Sequence, residues 1–240
     1  MSKGYFITGT DTGVGKTVVT ALLASILRRQ GLHVGVMKPV ETGCPQDGDQ
    51  LIPQDSLFLR QISGCTAPQE LVTPYAFVEP LAPAIAAERA GVTIEMKYIR
   101  RCYEQLLAEH DIVLVEGAGG LLVPLTAQFT MHDIAVELDL PVLIVVCNRL
   151  GAINHAALTV SIARERSQVL GIVLNHIQAP DNDLAMQTNV DALRRWGKAP
   201  LLCQVPYMPI ITAETLEALG QQLTLDGLFP FVPEHSWLSL

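Results

Sequence analysis

Tyr5-Phe6-Ile7-Thr8-Gly9-Thr10-Asp11-Thr12-Gly13-Val14-Gly15-Lys16-Thr17 joins a short apolar run to a glycine-rich turn and a Gly-Lys-Thr triplet. Tyr5 to Thr8 reads as a buried strand, being β-branched and aromatic. Val18 to Gln30 has helical length and ends in Arg28-Arg29 and a Gly31 stop signal. A strand, a flexible turn and a helix opened by Gly-Lys-Thr make a cradle for nucleotide phosphates. The glycines let backbone N–H groups approach the phosphates, and the helix N-terminus adds partial positive charge. Lys16 would reach the β- and γ-phosphates, and the Thr17 hydroxyl would face Mg²⁺. Five residues separate Gly9 from Gly15, one more than the usual four. The competing reading is a strand-to-helix turn without chemistry.

The 240 residues suffice for one large domain, expected over 1–240, and are too few for two comfortable ones. With 49% hydrophobic and 17% charged residues, a sizeable core is expected rather than long disorder. A formal net charge of −8 argues against nucleic-acid binding, which needs clustered Lys and Arg. Apolar runs such as Leu140 to Cys147 fall far short of a membrane span. The N-terminus runs straight into the first strand, and no cleaved leader is expected. The odd, scattered set Cys44, Cys65, Cys102, Cys147 and Cys203 shows no CxxC spacing, which points to reduced thiols in a cytoplasmic protein.

Strand and helix patterns alternate along the chain, as crossover units of a mainly parallel sheet require. Strands are expected at His33–Lys38, Asp111–Glu116, Pro141–Cys147, Val169–Leu174 and Pro200–Val205. Helices are expected at Asp55–Ile62, Ile94–His110, Ile153–Ser167, Asp183–Trp196 and about Ala213–Gln221. A polar loop should run from Pro39 to about Asp49, and proline-rich Thr73–Pro83 should be a loop or edge element. Gly64, Gly91 and Gly197 read as helix stops. The expected fold is a single α/β domain of the P-loop NTPase type, with helices on both faces of the sheet.

In open parallel sheets, ligands sit beyond the carboxyl ends of the strands. That rule gathers the phosphate turn, Lys38 and Glu116. Glu116 precedes Gly117-Ala118-Gly119-Gly120, flexible backbone able to approach a ligand, and a carboxylate there suits Mg²⁺. Glu116 also reads as a surface carboxylate at a strand terminus. Asp55 reads equally well as the N-cap of its helix, while Asp11, Asp47 and Asp49 compete for a second carboxylate role. Lys38 points a cation into the cleft or else snorkels outward from the strand end. None of the six histidines has a partner at ligand spacing.

Four motifs together resemble dethiobiotin synthetase: Gly9 to Thr17, Lys38-Pro39-Val40-Glu41-Thr42-Gly43, Val115-Glu116-Gly117-Ala118-Gly119-Gly120 and Leu150-Gly151-Ala152-Ile153-Asn154-His155. The resemblance runs from the first strand to Pro206-Tyr207 and includes the longer phosphate turn. It implies ATP- and Mg²⁺-dependent closure of a cyclic urea from 7,8-diaminopelargonic acid and CO₂, by way of a carbamate that ATP phosphorylates, in biotin biosynthesis. Lys16 and Lys38 would then stabilise the transferring phosphoryl group and the carbamate. Thr17, Asp55 and Glu116 would hold Mg²⁺. Thr12, Gly13, Val14, Gly15 and Val18 would surround the phosphates, and Gly117, Ala118 and Gly119 would lie beside ATP and substrate. Thr42 would contact the diamine. Asn175 would read adenine, flanked by Pro206, Tyr207 and Met208. The family is homodimeric, so Leu150 to Asn154, with Asn154 a substrate contact, would come from the second subunit. Position 13 is Gly where some members carry an acidic residue, and position 42 is Thr where Ser also occurs.

A regulatory or partitioning ATPase shares the phosphate turn and the parallel sheet. It needs a basic face for DNA or an amphipathic membrane anchor, and this acidic chain shows neither. An amide-forming synthetase would ordinarily carry a glutamine-hydrolysing module, for which 240 residues leave no room.

Overall fold

The computed structural model describes residues 4–179 and 183–223. At its centre, β1 (Gly4–Gly9), β2 (Val34–Met37), β7 (Ile112–Gly120), β8 (Val142–Cys147), β9 (Val169–Asn175) and β10 (Leu201–Val205) form one sheet in the order β10-β9-β8-β1-β7-β2. Every pairing in it is parallel. All six residues of β1 and of β8, and the first six of β7, are buried, so both faces of the central strands are covered. This explains why the strands read as continuous apolar runs instead of alternating ones.

Helix α1 (Lys16–Arg29) follows the phosphate turn and packs against α2 (Gln54–Ser63) and α9 (Ala213–Gln222). Its last turn carries Arg28 and Arg29, favourable at a helix C-terminus. Arg28 Nη1 also donates to Ile62 O at 2.7 Å, which ties α1 to α2. Two further helices, α7 (Ala152–Ala163) and α8 (Leu184–Trp196), pack on each other beside β8 and β10. The chain reverses sequence order at β1, whose neighbours are β7 and β8. The phosphate turn therefore opens at the switch point of the sheet, where ligands of such folds bind.

Several elements differ from the sequence expectations. The stretch after Pro39 is no simple loop: it holds β3 (Val40–Thr42) and a small hairpin of β4 (Gln46–Asp47) and β5 (Gln50–Leu51). β3 pairs with β6 (Tyr75–Phe77), which supplies the edge element between Thr73 and Pro83. Short helices α3 (Gln69–Val72), α4 (Pro83–Ala90) and α6 (Met131–Glu137) lie in stretches whose apolar period is too short to read. The remaining long helix, α5 (Met96–Glu109), lies within its expected bounds. β7 runs on through Gly120, so Gly117 to Gly120 extend the strand and are not a separate turn. Gly64 and Gly91 end helices in the left-handed conformation at φ 67 and 65. Gly197 stays right-handed at φ −68, and the left-handed turn falls on Lys198 at φ 62.

Candidate active site

The centre of the site is Glu116, deep in β7 and 1% exposed. Its Oε1 accepts from Thr17 Oγ1 at 2.8 Å and from Lys38 Nζ at 2.9 Å. Three separate elements thereby converge on one oxygen: the start of α1, the end of β2 and the middle of β7. Lys38 also pairs with the Asp55 carboxylate at the start of α2. Glu116 is not a surface carboxylate, and Lys38, 5% exposed, does not snorkel. Asp55 does not cap its helix. Pro53 holds the N-cap position and the Asp55 side chain turns to Lys38. The competing carboxylates lie elsewhere: Asp11 is exposed and pairs with Arg149 at 3.2 Å, and Asp47 and Asp49 are exposed around the hairpin.

Burial alone would lower the Lys38 ammonium, but Glu116, Asp55 and Glu41 outweigh it and hold its pKa above the ordinary value. Lys16 shows the opposite balance. Its burial lowers the pKa more than Glu116 raises it, and the positive charge of Lys38 lowers it further. Lys16 Nζ donates to Asp11 O at 3.1 Å, folding back over the turn whose carbonyl lies nearest. A phosphate at this position would offer the buried ammonium a better acceptor.

Thr17, Asp55 and Glu116 form an all-oxygen donor set, the kind Mg²⁺ prefers. Among the described residues, Glu116 Oε2 is buried and has no hydrogen-bond partner. A buried carboxylate oxygen without a donor is costly, and a cation at this point would satisfy it. The donor set thus fits the metal.

Gly13 and Gly15 take positive φ, 74 and 89, the left-handed backbone that glycine adopts without a side-chain clash. Gly119, at φ 65, lies beside the turn: a Cβ there would sit 3.5 Å from Thr12 Oγ1. The end of β7 therefore runs along the phosphate turn, with Gly117 and Ala118 between Glu116 and Gly119. Val14 is buried. Its carbonyl accepts from Asn175 Nδ2 at 2.9 Å, joining the turn to the end of β9. A cleft of about 220 Å³ opens there, lined by Gly15, Val18, Asn175, Pro206, Tyr207 and Met208, with His176, Ile177 and Ile211. The four residues that the resemblance puts at the base, Asn175, Pro206, Tyr207 and Met208, line this one cleft, and Gly15 and Val18, expected around the phosphates, border it. Ile177 and Ile211 were missed because an isolated isoleucine in a loop has no signature.

Thr42 ends β3, half-buried and paired with Phe77. Asn154 is exposed in the first turn of α7 and is not part of the hydrogen-bonded cluster around Glu116. It follows Leu150, which is 83% exposed. Glu41, buried in β3, has no role expected from its sequence position. Its Oε1 accepts from Asp55 N at 2.8 Å and its Oε2 from Ser56 N at 3.0 Å. Burial raises its pKa against the pull of Lys38 and of these two N–H groups. The sequence signal available for it was Pro53, which cannot cap the helix it precedes.

Fold and site together define a phosphate-loop nucleotide-binding α/β protein, and residues 3–215 match the family described as an AAA domain. The chain is 43% identical over 221 residues to the ATP-dependent dethiobiotin synthetase BioD of Nitrosospira multiformis, covering 91% of this chain and 95% of that one. It is 42% identical to the one from Anaeromyxobacter dehalogenans strain 2CP-C, covering 92% and 97%. The relative from Thermodesulfovibrio yellowstonii is 37% identical, covering 87% and 90%. The chain belongs to the AAA-domain family and, by these relatives, to the ATP-dependent dethiobiotin synthetases. Solved structures share the fold at low identity. One is cobyrinic acid a,c-diamide synthase from Mycobacterium smegmatis with an ATP analogue and magnesium, at 16% identity, TM-score 0.58 and coverage of 92% and 93%. Another is the septum site-determining protein MinD of Pyrococcus horikoshii with Mg-ADP, at 17% identity, TM-score 0.55 and coverage of 90% and 86%. These likenesses bear on the fold alone.

Proposed function

We propose that this chain, as one synthetase domain over 1–240, joins CO₂ to 7,8-diaminopelargonic acid and closes the cyclic urea of dethiobiotin at the expense of ATP. The observation that carries the reading is the shared oxygen of Glu116, which brings the Thr17 hydroxyl and the Lys38 ammonium to one point. Lys38 stands outside the phosphate turn, at the end of β2, where a phosphoryl acceptor would approach. A protein that only binds and releases nucleotide has no need of a second buried cation there.

Thr17, Asp55 and Glu116 would hold Mg²⁺, which when bound neutralises phosphate charge and orients the γ-phosphoryl group. One amine of the diamine adds to CO₂ and loses a proton, giving a carbamate. A carbamate oxygen attacks the γ-phosphorus and ADP leaves, which produces a carbamic-phosphoric anhydride. The second amine then attacks the carbonyl carbon and loses a proton, phosphate departs with the electrons of the C–O bond, and the ring closes. Lys16 and Lys38 stabilise the charge that spreads over the phosphoryl oxygens as the bond to ADP loosens. Lys38 also pairs with the carbamate, and the carboxylates of Glu116, Asp55 and Glu41 around it favour its charged form. The Thr42 hydroxyl and the backbone at Gly119 hold the diamine. Asn175 commits its Nδ2 to Val14 O, leaving Oδ1 to accept from the exocyclic amine of adenine between Pro206, Tyr207 and Met208.

Asn154 and the exposed Leu150 would complete the substrate site of a second subunit, which makes the working unit a homodimer. The five cysteines are free thiols, in keeping with a reducing, cytoplasmic setting. No described helix is long and apolar enough to cross a membrane. The test is phosphate release with ATP, Mg²⁺ and bicarbonate, with and without the diamine. Release that depends on the diamine supports the synthetase. Indifference to the diamine, with stimulation by DNA or lipid, would return the chain to the switch ATPases.

A further inference from the structure

Helix α2 begins without a cap of its own, since Pro53 at the N-cap position has no side-chain acceptor. The N–H groups of a first helical turn need partners, and such partners usually come from the adjacent Ser, Thr, Asp or Asn. Here Glu41 supplies them from β3, 14 residues upstream of Asp55. One carboxylate oxygen takes the Asp55 N–H and the other takes the Ser56 N–H. The Asp55 side chain is thereby released from capping and pairs with Lys38. Lys38 and Glu41 lie on one short segment, so a single stretch of chain holds Asp55 twice, by its carboxylate and by its main chain. That second hold matters because the Asp55 side chain is 47% exposed, and packing alone does not fix its direction.

We infer that Glu41 is a positioning residue: by gripping the first turn of α2 it fixes where Asp55 presents its carboxylate to a magnesium-nucleotide complex. This rests on the function proposed above, in which Asp55 is a metal ligand. Glu41 touches no reacting atom and acts through the backbone of its neighbour. A glutamine at this position keeps one oxygen acceptor but turns an N–H₂ group toward the second backbone N–H. The first turn of α2 then loses one of its two anchors.

The test measures ATP binding by calorimetry across a Mg²⁺ series for the parent, Glu41→Gln, Asp55→Asn and the double variant. Partners that orient a metal ligand cost roughly 10–100-fold in metal affinity when removed. Glu41→Gln should raise the Mg²⁺ concentration at half-effect by about 10-fold, leave ATP binding without Mg²⁺ unchanged, and add nothing in the Asp55→Asn background. A lower melting temperature with the parent's Mg²⁺ dependence would make Glu41 a helix anchor alone and overturn the inference. Additive effects in the double variant would overturn it too, since Glu41 would then act independently of Asp55. If Asp55→Asn itself keeps the parent's Mg²⁺ dependence, the metal role of Asp55 fails, and the inference falls with it. Should Glu41→Gln not fold by circular dichroism, Glu41→Asp replaces it. The shorter carboxylate keeps its charge but cannot span both N–H groups, and the same outcomes decide.

Discussion

Gly15 and Asn175 occupy adjoining space: a Cβ on Gly15 would lie 2.0 Å from Asn175 Nδ2. Gly15 also has φ 89, a backbone state that costs any side chain about 1–2 kcal/mol. The glycine is thus required twice, once by its own backbone and once by the amide it faces. Gly15→Ala should push Asn175 away from Val14 O and deform both the phosphate turn and the base cleft. ATP affinity is expected to fall at least tenfold, the equivalent of about 1.4 kcal/mol, with a modest drop in melting temperature. Calorimetry and thermal unfolding check it, and unchanged ATP affinity would refute the coupling.

Lys16→Ala and Lys38→Ala should fail differently. Lys16, at the start of α1, would face the phosphates of a bound nucleotide, so its removal should weaken ATP binding and cut turnover sharply while the circular dichroism spectrum stays normal. Lys38→Ala should retain measurable ATP binding and lose product formation. Each removed cation should cost on the order of 2–4 kcal/mol of transition-state stabilisation, about two to three decades in rate. Product assays set beside nucleotide binding separate the two.

Glu116→Gln replaces an anion that accepts from both Thr17 and Lys38 by a neutral amide. A weaker oxygen donor should raise the Mg²⁺ requirement or cut kcat. Removing one member of a buried pair also destabilises, by up to about 3–5 kcal/mol where no other partner remains. Asp55 remains beside Lys38, so the stability loss should fall below that range. Mg²⁺ titration of turnover and denaturant unfolding measure the two effects, and an unchanged Mg²⁺ dependence would reduce Glu116 to a structural role.

His132, in α6, is 2% exposed, and its Nε2 lies 2.9 Å from Ser167 Oγ. Burial, and then the neighbouring Arg166, lower its pKa from 6.5. The folded form therefore resists a proton that the unfolded chain accepts. Stability should be unaffected above about pH 6.5 and should fall as the pH drops below the unfolded value toward the lowered folded one. His132→Asn should flatten that acid-side decline. Denaturant midpoints across pH 5–8 for both proteins test it, and parallel curves would exclude His132 as the source.

The phosphate turn, the strand-helix alternation and the parallel sheet were legible in the sequence because each rests on local order. A buried parallel strand writes itself as an unbroken apolar run, as in Val142–Cys147. The short elements β3, α3, α4 and α6 were not legible, since three to eight residues cannot establish a period. Gly197 was legible as a helix stop and does end α8, although the left-handed turn itself falls on Lys198.

The sequence by itself determined that a cation, a hydroxyl and backbone N–H groups gather at the start of α1, because their spacing is contained in one continuous stretch. The family resemblance rested on four such stretches. Only the tertiary structure decided that Asp55 serves Lys38 rather than its own helix. That choice depends on Glu41 taking the N–H groups of Asp55 and Ser56, from a strand 14 and 15 residues away. Only the tertiary structure likewise placed Thr17 on the carboxylate of Glu116, across 99 residues of chain. Backbone propensity and apolar period act over a few residues, whereas a buried hydrogen bond is fixed by whichever partner the packed sheet brings within about 3 Å.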